Sequence, residues 1–241
     1  MTTPSLRRPR IGWVVDVQHD FMRPEGRLYV RNLFDASDAG AVQATPAIVR
    51  TVEWMRAACD VVVYTGDWHA YGDREIDTVA PDPTKGTYHP HCMGMSEDPE
   101  EARGASLIAE VDPGRDVHVL PRDASEAHAR EVARRALAER RAVFVQKHEF
   151  SVFEGNAGAD AFVAALRDAL GGAPEFFVCG VATDVCVKMA VDGLLDREAV
   201  VAVVQDATWS LGLLGPADTF DLWASRGATL TRSADLAPAD R

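Results

Sequence analysis

The sequence predicts a single three-layer α/β domain, in which helices cover both faces of a mainly parallel, open sheet. Segments typical of strands and of helices alternate along the 241 residues, as in proteins with a parallel sheet. Strand candidates such as 61–63 are apolar without alternation, which predicts burial on both faces. The sequence contains no repeat, low-complexity segment or linker, so we predict one domain over residues 1–241.

The first elements are predicted from short apolar runs and from helical spacing. Ile11–Val17 is a buried strand that opens into a polar loop. Pro46–Ala58 carries apolar residues at helical spacing, and Val61–Thr65 is a second buried strand. Residues 66–115 are rich in Pro, Gly, Asp and His and have little periodicity, which predicts long loops with short helices. Long irregular stretches inside a domain are usually functional or disordered.

Regular alternation resumes after residue 115. The next helix is predicted from its Ala, Arg and Glu content, and Gly171-Gly172 is a stop signal for the one after it. The predicted strands are Val117–Leu120, Ala142–Gln146, Glu175–Cys179, Ala199–Val204 and Ala228–Thr231, and the predicted helices are Ala124–Arg140, Ala159–Leu170, Thr183–Leu195 and Pro216–Ala224.

Charge and composition exclude several classes of partner. The chain has 25 basic and 37 acidic residues, a net charge of -12, which argues against nucleic acid and anionic membranes as main partners. The apolar runs are strand-sized and too short to span a bilayer. The four cysteines form no CxxC pair, so we predict free thiols and a cytoplasmic location.

Ligands of a parallel sheet bind beyond the carboxyl ends of its strands. The polar groups predicted there include a thiol, an amine and carboxylates, which together suit nucleophilic catalysis. Cys186 lies near a predicted helix start, where N–H groups favour a thiolate, although a buried packing role is about as common; Cys59 and Cys179 are interpreted as packing residues. The predicted cleft residues are Asp16, Asp67, Lys147, the Gly180–Cys186 turn and Asp206.

A second constellation suits a metal ion. Asp67-Trp68-His69 follows a strand, and His89-Pro90-His91-Cys92 follows later. An Asp and a His two positions apart can reach one cation, and a later His can complete the set, which suits Zn, Mn or Fe. The alternative is a solvated acidic loop that binds no ion.

Five motifs together resemble those of the isochorismatase-like cysteine hydrolases, and most closely their nicotinamidase (pyrazinamidase) branch. They occur in the family's order between about residues 11 and 206. The motifs are Asp16-Val17-Gln18-His19-Asp20-Phe21, Thr65-Gly66-Asp67-Trp68-His69, His89-Pro90-His91-Cys92, Lys147 with Phe150-Ser151-x-Phe153, and Gly180-Val181-Ala182-Thr183-Asp184-Val185-Cys186-Val187.

The resemblance implies an isochorismatase-like, Rossmann-like fold and a role for each matched residue. It implies a cis peptide at Val181–Ala182 and a homo-oligomer, as is usual in the family. The implied catalytic triad is Asp16, Lys147 and Cys186; the oxyanion hole is the N–H groups of Ala182 and Cys186; the metal ligands are Asp67, His69 and His91; and the substrate contacts are Phe21, Trp68 and Tyr88.

Three departures from the family pattern concern the metal and the substrate. A further histidine ligand of some nicotinamidases aligns with Glu75, so Asp73, Glu75, Asp77 or water is the candidate fourth ligand. His19 replaces a small polar residue, and the loop 73–88 is atypical.

These residues predict an amidohydrolase that acts through a cysteine thioester. Nicotinamide is the leading substrate, giving nicotinate and ammonia in pyridine nucleotide synthesis, with a divalent metal that holds the substrate ring. Isochorismatases proper lack the cysteine, so Cys186 argues against vinyl-ether hydrolysis. The alternatives are another C–N hydrolase, acting on a carbamoyl, ureido or lactam substrate, and a thiol-bearing binding protein without catalysis.

Overall fold

A computed structural model describes residues 7–237 and is built around a seven-stranded sheet. The strand order is β3-β4-β2-β1-β5-β6-β7, and each neighbouring pair is parallel, which confirms the predicted α/β class. The strands are β1 (Arg10–Val15), β2 (Val61–Asp67), β3 (Val117–Leu120), β4 (Ala142–Lys147), β5 (Glu175–Val181), β6 (Val200–Trp209) and β7 (Thr229–Thr231).

Eight α-helices connect these strands in the described part of the chain. The Ser125 side chain caps α4 by accepting from the His128 N–H, and Gly171 ends α6 in the left-handed region at a φ of 70°. None of the described helices is long and apolar enough to cross a bilayer. The helices are α1 (His19–Met22), α2 (Thr45–Ala58), α3 (Pro99–Ala102), α4 (Glu126–Glu139), α5 (Val152–Gly155), α6 (Ala159–Leu170), α7 (Cys186–Asp196) and α8 (Pro216–Ser225).

Apolar clusters cover both faces of the sheet. Trp13 and Val15 of β1 belong to the cluster formed with α4, α6, α7 and α8, whereas Val14 belongs to the cluster on the opposite face, with α2. At Gly12 an added Cβ would lie 2.9 Å from the Met55 side chain, so glycine permits the close approach of α2 and a larger residue would force Met55 to shift. The two-sided burial confirms the reading of the non-alternating apolar strands.

Several element boundaries differ from the prediction. β1 ends at Val15 because Asp16 takes a positive φ of 51°, which stops the extended strand. Helix α7 begins at Cys186 rather than Thr183, because residues 183–185 form a turn. Strand β6 continues to Trp209, so the prediction of Asp206 as a cleft residue is wrong: its carboxylate lies within the strand and accepts from the Ser233 N–H and hydroxyl at 2.7 and 2.6 Å.

The strand order places a crevice between β1 and β5. From β1 the chain continues to β2, toward one edge of the sheet, and from β5 it continues to β6, toward the opposite edge. The loops at the carboxyl ends of these two strands therefore diverge, and such a switch point is where open α/β sheets bind ligands. Asp16 follows β1 here, and the turn that leads to Cys186 follows β5.

Candidate active site

Three of the predicted site residues meet at this crevice. Asp16 follows β1, Lys147 ends β4, and Cys186 is the first residue of α7. The Lys147 Nζ lies 3.0 Å from the Asp16 Oδ2 and 3.8 Å from the Cys186 Sγ. Lys147 and Asp16 are at most 1% exposed. Lys147 is 131 positions from Asp16 and 39 positions from Cys186 along the chain. The fold therefore brings together a carboxylate, an amine and a thiol from distant segments, and the ammonium contacts both other groups.

The ammonium of Lys147 is shared between two carboxylates. Sheet register places Asp67 of β2 opposite Lys147 of β4, and their side chains form a second ion pair. Although burial opposes the charged form, the carboxylates of Asp16 and Asp67 raise the pKa of Lys147 well above its usual value. The Lys147 side chain is therefore a fixed positive charge at neutral pH.

The cysteine is a neutral thiol when the site is at rest. Burial raises the pKa of the Cys186 thiol well above its usual value, and the nearby Lys147 ammonium opposes this only in part. Burial also raises the pKa of Asp16, although Lys147 works against it. The pKa-lowering effect expected of a neighbouring lysine is present, but desolvation outweighs it. The proton must leave the sulfur as it reacts.

The turn before α7 presents unused N–H groups beside the sulfur. The Val181–Ala182 peptide is cis, as the family resemblance implied. Within residues 7–237, neither the Ala182 nor the Cys186 N–H donates to a protein acceptor, whereas the N–H of Thr183 donates to the Trp209 carbonyl at 2.8 Å. Two free donors next to a thiol, one of them at a helix N-terminus, suit a developing oxyanion.

Four buried side chains next to this triad form a candidate metal centre. One ligand atom from each of Asp67, His69, Glu75 and His91 lies within 4.8 Å of the others. The His69 Nε2 is 3.7 Å from the Asp67 Oδ2 and 3.9 Å from the Glu75 Oε2. Both ring nitrogens of His69 and both carboxyl oxygens of Glu75 are buried without a hydrogen-bond partner. A divalent cation would satisfy the His69 Nε2 and a Glu75 oxygen, whereas the His69 Nδ1 faces the Asp73 Oδ2 at 3.5 Å.

The protonation states of His91 and Glu75 also fit a metal centre. The His91 Nδ1 lies 2.9 Å from the His89 carbonyl, which can only accept, so Nδ1 carries the proton and Nε2 is left free toward Asp67. Burial, reinforced by His69, lowers the pKa of His91 to about 4, so the ring is neutral, as a metal ligand must be. Burial and the Asp67 carboxylate raise the pKa of Glu75 to about 9, which indicates that this side chain needs a proton or a cation.

Among the candidate fourth ligands, the structure places Glu75 in the cluster. An isolated parallel β-bridge pairs Ile76 with Tyr88, and the Tyr88 N–H donates to the Glu75 carbonyl at 2.7 Å. Asp73 lies behind His69, 3.5 Å from its Nδ1, and is paired with Arg122. Asp77 is directed away and accepts from loop N–H groups at 2.8 and 3.0 Å.

Two buried polar residues that the sequence analysis did not single out hold the site in place. The Gln18 amide accepts from the Asp67 N–H and donates to the Asp67 carbonyl, both at 2.8 Å. The Asp20 carboxylate accepts from the Cys92 N–H at 2.7 Å, which fixes the loop that carries His91. Both lie in the first motif, but their spacing gave no signal of long-range partners.

A cavity of about 470 Å³ opens above the sulfur. Phe21 and Tyr88 line it together with Ala182 and Cys186, which places these two predicted substrate contacts at the site. Trp68 does not line it, and that prediction is corrected. Since side chains alternate along an extended chain, Trp68 points away from Asp67 and packs edge-on against Phe144, with ring centroids 5.7 Å apart.

Comparison with known families agrees with this geometry. The family model described as the isochorismatase domain matches residues 13–235. The chain belongs to the isochorismatase family. The expected membership of the isochorismatase-like hydrolase superfamily is thus confirmed, and the four-residue cluster lies within the matched range of this family member.

Solved structures with the same fold include hydrolases of different substrates, and a search of curated proteins gave no match. N-carbamoylsarcosine amidase from Thermoplasma acidophilum has a TM-score of 0.62 and 22% identity over 95% of this chain and 98% of that chain. Nicotinamidase/pyrazinamidase from Bacillus subtilis has 0.63 and 18% over 93% and 100%. Pyrazinamidase of Pyrococcus horikoshii, solved in complex with zinc, has 0.61 and 21% over 92% and 98%. At these identities the structural likeness shows that the chain has the fold of the isochorismatase-like hydrolases.

Proposed function

We propose that this protein is a cysteine amidohydrolase whose leading substrate is nicotinamide, converted to nicotinate and ammonia. The observation that carries the proposal is the contact of one buried ammonium, Lys147, with both the Asp16 carboxylate and the Cys186 sulfur, and Cys186 lines a cavity. A thiol, a proton acceptor and a fixed positive charge are the parts that thioester chemistry needs.

The first step forms a bond between the Cys186 sulfur and the amide carbon. The thiol proton passes to Asp16, whose raised pKa suits a proton acceptor, and Lys147 compensates the negative charge on the sulfur as the bond forms. The carbonyl electrons move to oxygen, which accepts from the Ala182 and Cys186 N–H groups. In other enzymes one such donor contributes about 3 kcal/mol to the transition state.

The second half restores the enzyme. The C–N bond breaks, the proton held by Asp16 moves to the leaving nitrogen, and ammonia departs from the thioester. Water then attacks the acyl carbon and gives its proton to Asp16, the S–C bond breaks, and Cys186 takes a proton back as the carboxylic acid leaves. Asp16 thus accepts and donates the proton in both halves, and it does so beside the Lys147 ammonium, 3.0 Å away.

Asp67, His69, Glu75 and His91 would hold a divalent metal such as Zn, Mn or Fe. When bound, this ion would supply a Lewis-acidic site for a ring nitrogen of the substrate. Asp67 links the two sites, because one of its oxygens pairs with Lys147 and the other faces His69 and His91. This link would orient the substrate amide over the Cys186 sulfur.

The test is ammonia release from nicotinamide by the purified protein supplied with zinc. Wild-type protein is expected to release ammonia, Cys186→Ala is expected to be inactive, and Cys59→Ala, which changes a thiol outside the cavity, is expected to remain active. Absence of ammonia with the metal bound would contradict the nicotinamide assignment. Full activity of Cys186→Ala would contradict the nucleophile.

The second candidate is a C–N hydrolase for a carbamoyl, ureido or lactam substrate, supported by the likeness to an N-carbamoylsarcosine amidase. Hydrolysis of such a compound that survives removal of metal by a chelator would favour it. A binding protein without catalysis predicts no ammonia from any amide. A cytoplasmic location, a role in pyridine nucleotide synthesis and a homo-oligomeric state stay predictions.

A further inference from the structure

The cavity is larger than a single-ring amide requires. Its volume of about 470 Å³ lies within the roughly 300–1,000 Å³ typical of sites for drug-sized ligands. The residues next to the sulfur are buried, whereas Leu33 and Leu213, which also line the cavity, are 58% and 49% exposed. The cavity therefore runs from a closed floor at Cys186 to an apolar mouth.

The outer part of the cavity has an apolar surface that we call the distal wall. It comes from two loops that are remote in sequence and are joined by the hydrogen bond from the Leu33 N–H to the Leu211 carbonyl, at 2.9 Å. The distal wall consists of Leu28, Val30, Leu33, Leu211 and Leu213.

Hydrogen bonds from the catalytic turn hold the distal wall in position. The Asp184 carboxylate, two residues before Cys186, accepts from the Leu211 N–H at 2.9 Å and from the Leu213 N–H at 2.7 Å. The Val30 N–H donates to the Phe21 carbonyl at 2.9 Å. Since the wall is tied to the segments that carry the sulfur and the Phe21 ring, it is a built part of the same site.

The distal wall offers no polar or charged side chain to pair with an anionic group. Within the described chain the cavity lining contains no arginine or lysine, and the Lys147 ammonium beneath it is already paired with two carboxylates. The Tyr29 hydroxyl is also engaged, with the Ala39 carbonyl at 2.5 Å. A carboxylate that lay against the distal wall would give up part of its hydration without a compensating partner.

From these contacts we infer that the site takes a neutral carboxamide whose ring carries an apolar extension, which lies on the distal wall. This inference rests on the proposed amidase function and names its substrate class. Each methylene buried from water favours binding by roughly fourfold. A butyl group on the ring should therefore raise kcat/KM by at least about tenfold over the bare ring, even with partial burial.

The experiment compares nicotinamide with 5-butylnicotinamide and with its analogue of equal length that ends in a carboxylate. The substituent at ring position 5 points away from both the amide and the ring nitrogen. Zinc-loaded wild-type protein should prefer the butyl compound by tenfold or more over both others. The preference for butyl should fall at least fivefold in Leu33→Asp and Leu213→Asp, and stay unchanged in Leu222→Asp, whose residue is 44% exposed and lies outside the cavity.

Equal or better turnover of bare nicotinamide would overturn the inference and leave the amidase proposal intact. Better turnover of the carboxylate analogue would also overturn it. If none of the amides releases ammonia, the amidase proposal fails, and calorimetric binding to Cys186→Ala decides the inference separately. Tighter binding of the butyl amide than of nicotinamide, lost in Leu213→Asp, would support the distal wall; equal binding would overturn it.

Discussion

Replacement of the shared ammonium tests the electrostatic design of the site. Lys147→Met keeps a long stem but leaves Asp16 and Asp67, both buried, without their counter-charge. Removal of one partner from a buried ion pair typically costs about 3–5 kcal/mol of unfolding free energy. For a chain of this size that corresponds to a Tm lower by about 6–20 °C. Turnover should be lost as well.

The loss of stability should depend on pH in a defined direction. In the wild-type protein Lys147 and His69 outweigh burial and lower the pKa of Asp67, so this carboxylate stabilises the fold above its ordinary pKa and loses that contribution only in strong acid. The raised pKa of Lys147 gives a contribution that is present below its ordinary value and constant from pH 5.5 to 7.5. Burial already raises the pKa of Asp16 in the wild type, and Lys147 is the largest influence that lowers the pKa of either carboxyl. Its loss in Lys147→Met should raise both pKa values further, so the variant should gain more stability than the wild type as pH falls.

Urea unfolding of chelator-treated protein at pH 7.5 and 5.5 measures both effects. The difference between wild type and Lys147→Met should be larger at pH 7.5. Lys188→Met is the matched control, because Lys188 pairs with Asp192 at 2.5 Å while both side chains are partly exposed, and it should cost less than about 1 kcal/mol at either pH. A variant at position 147 that is as stable as the control at pH 7.5 would refute the argument.

Three further substitutions separate the roles of neighbouring groups. Cys186→Ala should lower kcat by about 10⁴-fold or more in the ammonia assay and leave the urea midpoint almost unchanged; substantial residual turnover would contradict a covalent intermediate. Glu75→Gln should weaken zinc affinity at least about tenfold in a competition titration with a chromophoric chelator. The stability of the metal-free protein should stay unchanged, because Glu75 is protonated at pH 7. The control Asp77→Asn, which changes a carboxylate outside the cluster, should bind zinc normally. Gln18→Ala should lower the free energy of unfolding in urea by about 3 kcal/mol, since three buried hydrogen bonds are lost. The control Gln43→Ala, which loses one exposed hydrogen bond, should lower it by less than about 0.5 kcal/mol. Similar costs in the two variants would refute the role of Gln18 in holding Asp67.

The sequence predicted the fold well because its signals are local. Apolar runs such as Val61–Thr65 and the stop signal at Gly171 depend on neighbouring residues. The strand begins at Val61 as expected and runs on to Asp67, and the helix ends at Gly171. The boundary at Thr183 was wrong because residues 183–185 form a turn and the helix starts only at Cys186, and periodicity does not distinguish that turn from a first helical turn.

The candidate site was predicted less completely because it depends on contacts between distant segments. The motifs led to Asp16, Lys147 and Cys186, and the structure brings them together. Glu75 could not be separated from its acidic neighbours, because the pairing of its loop with Tyr88, which the sequence does not reveal, directs it inward. The distal wall was missed for the same reason: its two loops meet only through the fold.

Asp67 connects the charge of Lys147 to the charge of the metal cluster, because it pairs with the first and belongs to the second. Without a cation, Asp16 and Asp67 carry two negative charges against the one positive charge of Lys147, and Glu75 avoids a third by holding its proton. A bound divalent cation with Glu75 ionised brings the sum of these buried charges to zero. In the proposed mechanism, transfer of the thiol proton to Asp16 moves negative charge from one contact of Lys147 to the other without changing that sum, so the proposed first step creates no net charge in a desolvated site. Metal occupancy should therefore stabilise the fold as well as orient the substrate.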